Sequence, residues 1–302
     1  SAAIRMRQIS CLETMQAYLA RIERYNPVYN AIVNLAEQDG LLDQARRADV
    51  ALDKGEYWGW MHGMPHGVKD LSNVAGMITT SGSPIYANRV ADSDSSLVAS
   101  IRKQGAIFIG KTNTSEFGLG SQSYNSVFGA TGSACNPQLT AGGSSGGGAS
   151  GIGTHMLPVA DGSDMMGSLR NPGAFNNVIG FRPSKGRVSG GDPFYQRLST
   201  SGPMGRNTED TIRLLHSIAG PANDQPLALQ DRLPETEQFA ALDLSEVKIG
   251  WMGDFERHLA TEAGVLGVCE SSLRLLEAAG ARVEPCMPEF DMEELWRTWV
   301  DL

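Results

Sequence analysis

Residues 140–168, TAGGSSGGGASGIGTHMLPVADGSDMMGS, carry two glycine–serine clusters separated by a short apolar segment. Gly142, Gly143, Gly146, Gly147 and Gly148 surround Ser144 and Ser145, so the backbone there can take conformations that a Cβ resists. A flexible Gly/Ser linker has a similar composition, but a linker stays polar. This run enters Ala149, Ile152, Met156, Leu157 and Val159, an apolar set expected to pack. Hydroxyls held on bare backbone at the margin of packed structure make this stretch the expected seat of the chemistry.

Working outward, 302 residues with 41% hydrophobic content are enough for one large domain or two ordinary ones. No stretch approaches the roughly 18 uninterrupted apolar residues of a membrane span, and the N-terminus has no apolar signal segment. No membrane association is expected. Cys11, Cys135, Cys269 and Cys286 are scattered without a CxxC pair, which argues against a disulfide framework or a zinc site and fits a reducing, cytoplasmic setting. The net charge of -9 comes with no Lys/Arg cluster, so direct nucleic-acid binding is not expected either. Homo-oligomer formation is left open. The chain begins at Ser1 and stops inside an amphipathic pattern (Met292, Leu295, Trp296, Trp299), as if trimmed.

Helices and short apolar strands alternate. Ser10 with Glu13 forms a capping-box pattern ahead of Met15, Leu19 and Ile22, and a second helix is expected over about 38–54, with Pro27 breaking the chain between the two. A strand-like run ends at Lys69 and Asp70. A helix over 95–104 precedes a strand over 106–110 and a turn at 111–113, where Lys111 is expected to end the strand. Further on come a buried strand over 178–181, a turn over 183–187, a helix from Thr208 as cap to about 219, and a polar surface excursion over 221–245. A strand over 247–252, a helix over 261–279 and a strand over 281–284 complete the pattern. The fold class is α/β with a large sheet.

Two short motifs fit in letters and fail in context. Gly105 to Thr112 matches the phosphate-loop pattern GxxxxGK[ST], but a helix precedes it and a strand fills the space between its glycines, against the strand–loop–helix that an NTPase requires. Gly142 to Gly146 matches the GxSxG elbow of α/β-hydrolases, yet the preceding CNPQLTA is turn-like. The late histidines that could complete a triad, His216 and His258, are both in helical settings.

The order GMPHGVKD, GAIFIGKTNTSEF, GGSSGG, DGSDMMGSLRNP, IGFRPSKGRVS and SGPMGRNTEDT closely resembles the amidase signature family over roughly residues 60–220. The resemblance implies a large mixed twisted sheet flanked by helices, with residues 1–302 a single domain incomplete at its C-terminal end. Within it, 1–58 would be N-terminal helices, 59–220 the catalytic core and 221–302 a later part. It also implies a Ser-cisSer-Lys triad: Lys69, Ser144 as the bridging serine after a cis Gly143–Ser144 peptide, and Ser168 as nucleophile, the two serines standing 24 residues apart. The oxyanion would be held by backbone N–H groups of Met165, Met166 and Gly167, together with that of Ser168. No cofactor and no metal are implied, and the partner is a small-molecule amide.

Such chemistry needs an activated nucleophile, an oxyanion site and an acid for the departing nitrogen. Lys69, flanked by Val68, Leu71 and Val74, is expected to be buried enough to lose its proton and act as base. Met166 stands where the family usually has glycine, which is expected to add a side chain beside the acyl site and change selectivity. Ser145 and Ser163 are expected to bond their own backbone more than the relay. Asp164 with Arg170 is expected to brace the loop, and Asp70 to brace the lysine strand. A glutaminase-type A subunit of a tRNA-dependent amidotransferase is the alternative to a free-standing amidase.

Overall fold

The structure, a computed structural model, describes residues 1–190, 198–221, 225–234 and 242–301. By packing, the chain divides into two units, Ser1–Thr236 and Glu237–Leu302.

After a short helix α1 (Ala2–Arg5), the capping box opens α2 (Cys11–Tyr29) as read from the sequence. The Ser10 hydroxyl accepts the Glu13 N–H at 3.0 Å, and the Glu13 carboxylate accepts the Ser10 N–H at 2.9 Å. Two more orphan donors of that first turn, Cys11 and Leu12 N–H, go to Asp49 on α3 (Gln38–Asp53) at 2.6 and 3.0 Å, which fixes the two helices together. Pro27 does not break the chain as expected. It lies inside α2, which ends where Asn30 turns left-handed (φ 48) and the Asn26 side chain takes the N–H groups of Ala31 and Ile32.

Strand β1 (Ile32–Val33) then pairs antiparallel with β3 (Ile107–Thr112), which pairs parallel with β2 (Pro65–Lys69) in the order β1-β3-β2. Helix α4 (Ser96–Lys103), capped by Ser95, feeds β3. β3 runs two residues further than expected: Lys111 and Thr112 are paired strand residues opposite Val68 and Lys69, both fully buried, so the turn begins only at Asn113.

A two-stranded hairpin of β4 (Tyr124–Asn125) and β5 (Gly129–Ala130) leads to the glycine run. That run is helix α5 (Gly146–Gly153), buried from Gly146 to Ile152. Close approach explains the composition: a Cβ on Gly147 would collide with the backbone of Asn113 and Ala31, the ends of β3 and β1. The apolar residues after it belong to one core with Ile101, Ile107, Ile109, Leu169, Met204 and Leu214.

A second sheet has the order β6-β8-β7, all antiparallel: β6 (Ala160–Asp164), β7 (Ile179–Gly180) and β8 (Thr200–Gly205), with α6 (Arg170–Asn176) between β6 and β7. β7 is only half-buried, short of the buried strand expected there. Helix α7 (Thr208–Ile218) is capped by Asn207, whose side chain accepts the Asp210 N–H, and not by Thr208, which is its first residue. Of the expected surface excursion, residues 222–224 and 235–241 lie outside the described residues. The second unit contains parallel strands β9 (Lys248–Trp251) and β10 (Arg282–Pro285), with α8 (Val265–Ala278) between them and α9 (Met292–Asp301) after.

The class is α/β with mixed pairing. Among the described residues the strands form two three-stranded and two two-stranded sheets, not one continuous ladder. β2 and β6 meet through side chains: Asp161 of β6 accepts the Lys69 N–H at 3.3 Å on each oxygen.

Candidate active site

Lys69 ends β2, Ser144 and Ser145 precede α5, Ser163 lies near the end of β6, and Ser168 follows it in the loop to α6. Lys69 is 1% exposed, and its Nζ lies 2.9 Å from Ser144 Oγ, 2.8 Å from Ser145 Oγ and 2.9 Å from Ser163 Oγ. Burial pushes the ammonium down to about 7, against the pull of Asp161 and Asp164. Ser145 and Ser163 thus reach the lysine, where the sequence suggested local backbone bonds. The Ser145 hydroxyl also donates to the Ser163 carbonyl at 3.3 Å, so toward Lys69 it is an acceptor. That leaves Ser144 free to point its proton at the amine.

The loop bearing these serines is fixed by contacts the sequence did not announce. The Gly143–Ser144 peptide is cis. A Cβ on Gly143 would sit 2.5 to 2.8 Å from the Gln122 backbone, so only glycine fits. Ser123 clamps both sides of Ser145: its hydroxyl donates to the Ser144 carbonyl at 3.1 Å and accepts the Gly146 N–H at 2.8 Å. Nothing in the spacing of the polar stretch around Ser123 marks it out. The Ser145 N–H donates to the Ser168 carbonyl at 3.3 Å, tying the two serine loops together.

Lys69, Ser144, Ser163 and Ser168 line one cavity of about 520 Å³, together with Leu71, Phe117, Leu119 and Met165. Among the described residues the Ser168 side chain has no hydrogen-bond partner. A larger hollow of about 640 Å³, bordered by Arg46, Arg47 and Trp58, holds none of these residues.

Asp164 organises the loop to Ser168. It is fully buried and makes a two-pronged ion pair with Arg170, both contacts 3.0 Å, with Arg182 at 3.2 Å. Burial alone would push its carboxyl up, but bonds from Arg170, Gly167 and Leu169 hold it below the ordinary carboxylate range. The bracing role expected for Asp164 and Arg170 is what the geometry gives. One consequence corrects the expected oxyanion set: the Gly167 N–H is already donated to Asp164 Oδ1 at 2.8 Å. The N–H groups of Met165, Met166 and Ser168 have no acceptor among the described residues. A second correction concerns Met166, whose side chain is 57% exposed and off the cavity wall; Met165 is the methionine that lines it.

Asp70 is buried and accepts the N–H and hydroxyl of Thr80; burial pushes its carboxyl up. Lys111 is buried as deeply as Lys69, donates to the Ser72 carbonyl and to Thr79 Oγ1 at 3.2 Å, and is pushed down to about 8 by burial. Among the described residues no three His, Cys, Asp or Glu side chains gather so as to hold a metal ion, and no helix is long and apolar enough to cross a membrane.

The family model described as Amidase matches residues 13–298. Among curated proteins, the chain is 33% identical over 291 residues to the A subunit of the Glutamyl-tRNA(Gln) amidotransferase of Coxiella burnetii (strain RSA 493 / Nine Mile phase I), covering 95% of this chain and 60% of that one. It is 34% identical over 283 residues to the corresponding protein of Carboxydothermus hydrogenoformans, covering 93% and 58%. Among solved structures, a bacterial aryl acylamidase of the amidase signature enzymes matches with a TM-score of 0.90 at 26% identity, over 99% of this chain and 62% of that one. The peptide amidase of Stenotrophomonas maltophilia matches at 0.80 and 28%, over 95% and 60%. The chain therefore spans about 60% of the length of the proteins it matches.

Proposed function

Because the chain belongs to the amidase (amidase signature) family, we propose that it hydrolyses a carboxylic amide C–N bond through a Ser168 acyl-enzyme, with Ser144 and Lys69 as proton relay. The observation that carries this reading is Lys69: a fully buried amine with no carboxylate within ion-pair distance among the described residues and three hydroxyls at 2.8 to 2.9 Å. An ammonium so placed is poorly solvated, and its neutral form can accept a proton.

The steps follow from the donors. Neutral Lys69 takes the Ser144 proton as Ser144 takes that of Ser168, and Ser168 Oγ forms a bond to the amide carbon. The carbonyl oxygen, now negative, is met by free N–H groups of the loop, of which Met165 and Ser168 border the cavity. The relay run backwards gives the proton to the nitrogen, the C–N bond breaks, and ammonia or an amine leaves. Water, deprotonated by the same relay, then cleaves the acyl ester and frees Ser168.

Among the described residues the cavity carries no charged side chain except Lys69, and Leu71, Phe117, Leu119 and Met165 give it an apolar share. That supports an amide with a neutral, partly apolar acyl group. The reading includes a cytoplasmic setting, supported by four unpaired cysteines. The curated relatives favour a second reading, in which the chain is the glutamine-hydrolysing component of an amidotransferase and passes ammonia to a partner.

The test is release of ammonia or amine by the full-length protein from aliphatic, aromatic and peptide amides and from glutamine, with Ser168→Ala as control. Loss of roughly six orders of magnitude in Ser168→Ala is expected. Turnover of glutamine alone would replace the first reading with the second, and undiminished turnover by Ser168→Ala would end both.

A further inference from the structure

Behind the lysine lies a buried pair that the relay does not use. Asp161, 1% exposed, faces His66 Nε2 at 3.1 Å, and His66 is fully buried. The same carboxylate takes the backbone N–H of Lys69. His66 Nδ1 has no partner, so a second ring proton would have no acceptor there, and Nε2 carries the hydrogen that faces Asp161. Two N–H donors satisfy Asp161, and no Lys or Arg lies within ion-pair distance of it among the described residues. Its carboxyl group is fixed in a dry interior, against the backbone of the residue whose proton affinity matters most.

The other charges around this point are already committed. Asp164, also on β6, is paired with Arg170 and Arg182. Lys111 on β3 donates to Ser72 and Thr79, and Asp70 at the end of β2 is held by Thr80. Strand β8 and helix α5 bring no titratable side chain. Asp161 is thus the carboxylate beside Lys69 that no Lys or Arg holds.

We infer that Asp161, held by His66, is a positioning residue whose negative charge keeps Lys69 basic enough to take a proton from Ser144 and to return it. Without it, burial would leave the amine neutral but too weak a base to pull on an alcohol. Of the two neighbouring carboxylates that draw the proton back toward Lys69, Asp161 makes the larger contribution.

The inference rests on the amidase reading, and the experiment keeps the two apart. The full-length protein is labelled at Ser168 with a fluorophosphonate, and the labelling rate is followed from pH 5 to 9. The reagent needs no knowledge of the natural amide: the Ser168 oxygen bonds to phosphorus, fluoride leaves, and the proton passes to the relay. Asp161→Asn keeps an acceptor for the Lys69 N–H and removes the charge. Its acid limb is expected to move to lower pH by roughly one unit, with a lower plateau. His66→Phe, which strips Asp161 of its ring donor and loosens its hold beside Lys69, moves the limb the same way by less, and serves if Asp161→Asn does not fold. Limbs that overlay the parent's, with rates reduced equally at every pH, would show a purely structural pair and overturn the inference. A parent never labelled at Ser168 would instead sink the amidase reading, and this inference with it.

Discussion

Replacing Lys69 with methionine should abolish turnover and, at neutral pH, make the protein more stable. The side chain is 1% exposed, and burial takes its ammonium from the ordinary 10.5 to about 7. A gap of that size corresponds to about 5 kcal/mol of destabilisation whenever the unfolded chain holds a proton that the folded one resists. The sign follows from the direction: between about 7 and 10.5 the unfolded state binds more protons, so parental stability rises with pH across that window. Below it the penalty is complete and constant. Methionine fills a similar volume without charge, but Ser144, Ser145 and Ser163 each lose a donor, about 1 kcal/mol apiece. The variant should therefore be more stable by about 2 kcal/mol at pH 7 and less stable by about 3 kcal/mol above pH 10.5, crossing a little above pH 8. Urea unfolding of both proteins at several pH values, with matched slopes, measures the difference. A difference that stays constant from pH 7 to 10 would mean that Lys69 does not titrate as its burial requires, and would remove the physical basis of the relay.

Other consequences are simpler. Turnover should rise about tenfold per pH unit on the acid side and level off above about 7, because the base is the neutral form of Lys69; a profile flat from pH 5 to 8 would exclude that group. Asp164→Ala leaves Arg170, Arg182 and two backbone N–H groups without their acceptor, and thermal melts should show a loss of roughly 3 kcal/mol together with loss of activity. Ser123→Ala frees the Ser144 carbonyl and the Gly146 N–H in a dry interior. About 2 kcal/mol of stability should go, with kcat falling more than KM changes, and unchanged kinetics would show that the Ser144 loop needs no such clamp.

How far this could be read in advance depended on whether the determinants were local. The capping box at Ser10, the apolar spacing of α2 and α3 and the Ser95 cap of α4 act within a few residues, and these elements fall where the sequence puts them. Pro27 misled because tertiary packing tolerates a missing N–H in a terminal turn, and Asn30 does the terminating. The helical role of the glycine run was not legible because it comes from outside: the ends of β1 and β3 press on Gly147, and nothing near 147 in sequence says so. Lys69, Ser144 and Ser168 were nameable from a resemblance spread over several blocks. The Ser123 clamp, the hydroxyls of Ser145 and Ser163 on Lys69, and the His66–Asp161 pair were not, since each joins strands or loops that meet only after folding.

Two lysines at equal depth on paired strands show why partners, more than burial, separate a base from a brace. Lys69 and Lys111 are both fully enclosed, and both are pushed down by burial, to about 7 and about 8. Lys111 donates to Thr79 Oγ1 and to the Ser72 carbonyl, and the carbonyl can only accept, so its ammonium must keep its hydrogens to hold the segment bearing Leu71 and Ser72 on the cavity wall. Lys69 points at hydroxyls, which can accept a hydrogen or give one. When it is charged, Ser144 accepts from it; when it is neutral, Ser144 can turn its own proton inward and become the stronger acceptor for the proton of Ser168. Exchanging these environments should exchange the roles. A carbonyl in place of the Ser144 hydroxyl would leave Lys69 a structural ammonium, whatever its depth, because a proton relay needs a group that can pass a hydrogen on as well as receive one.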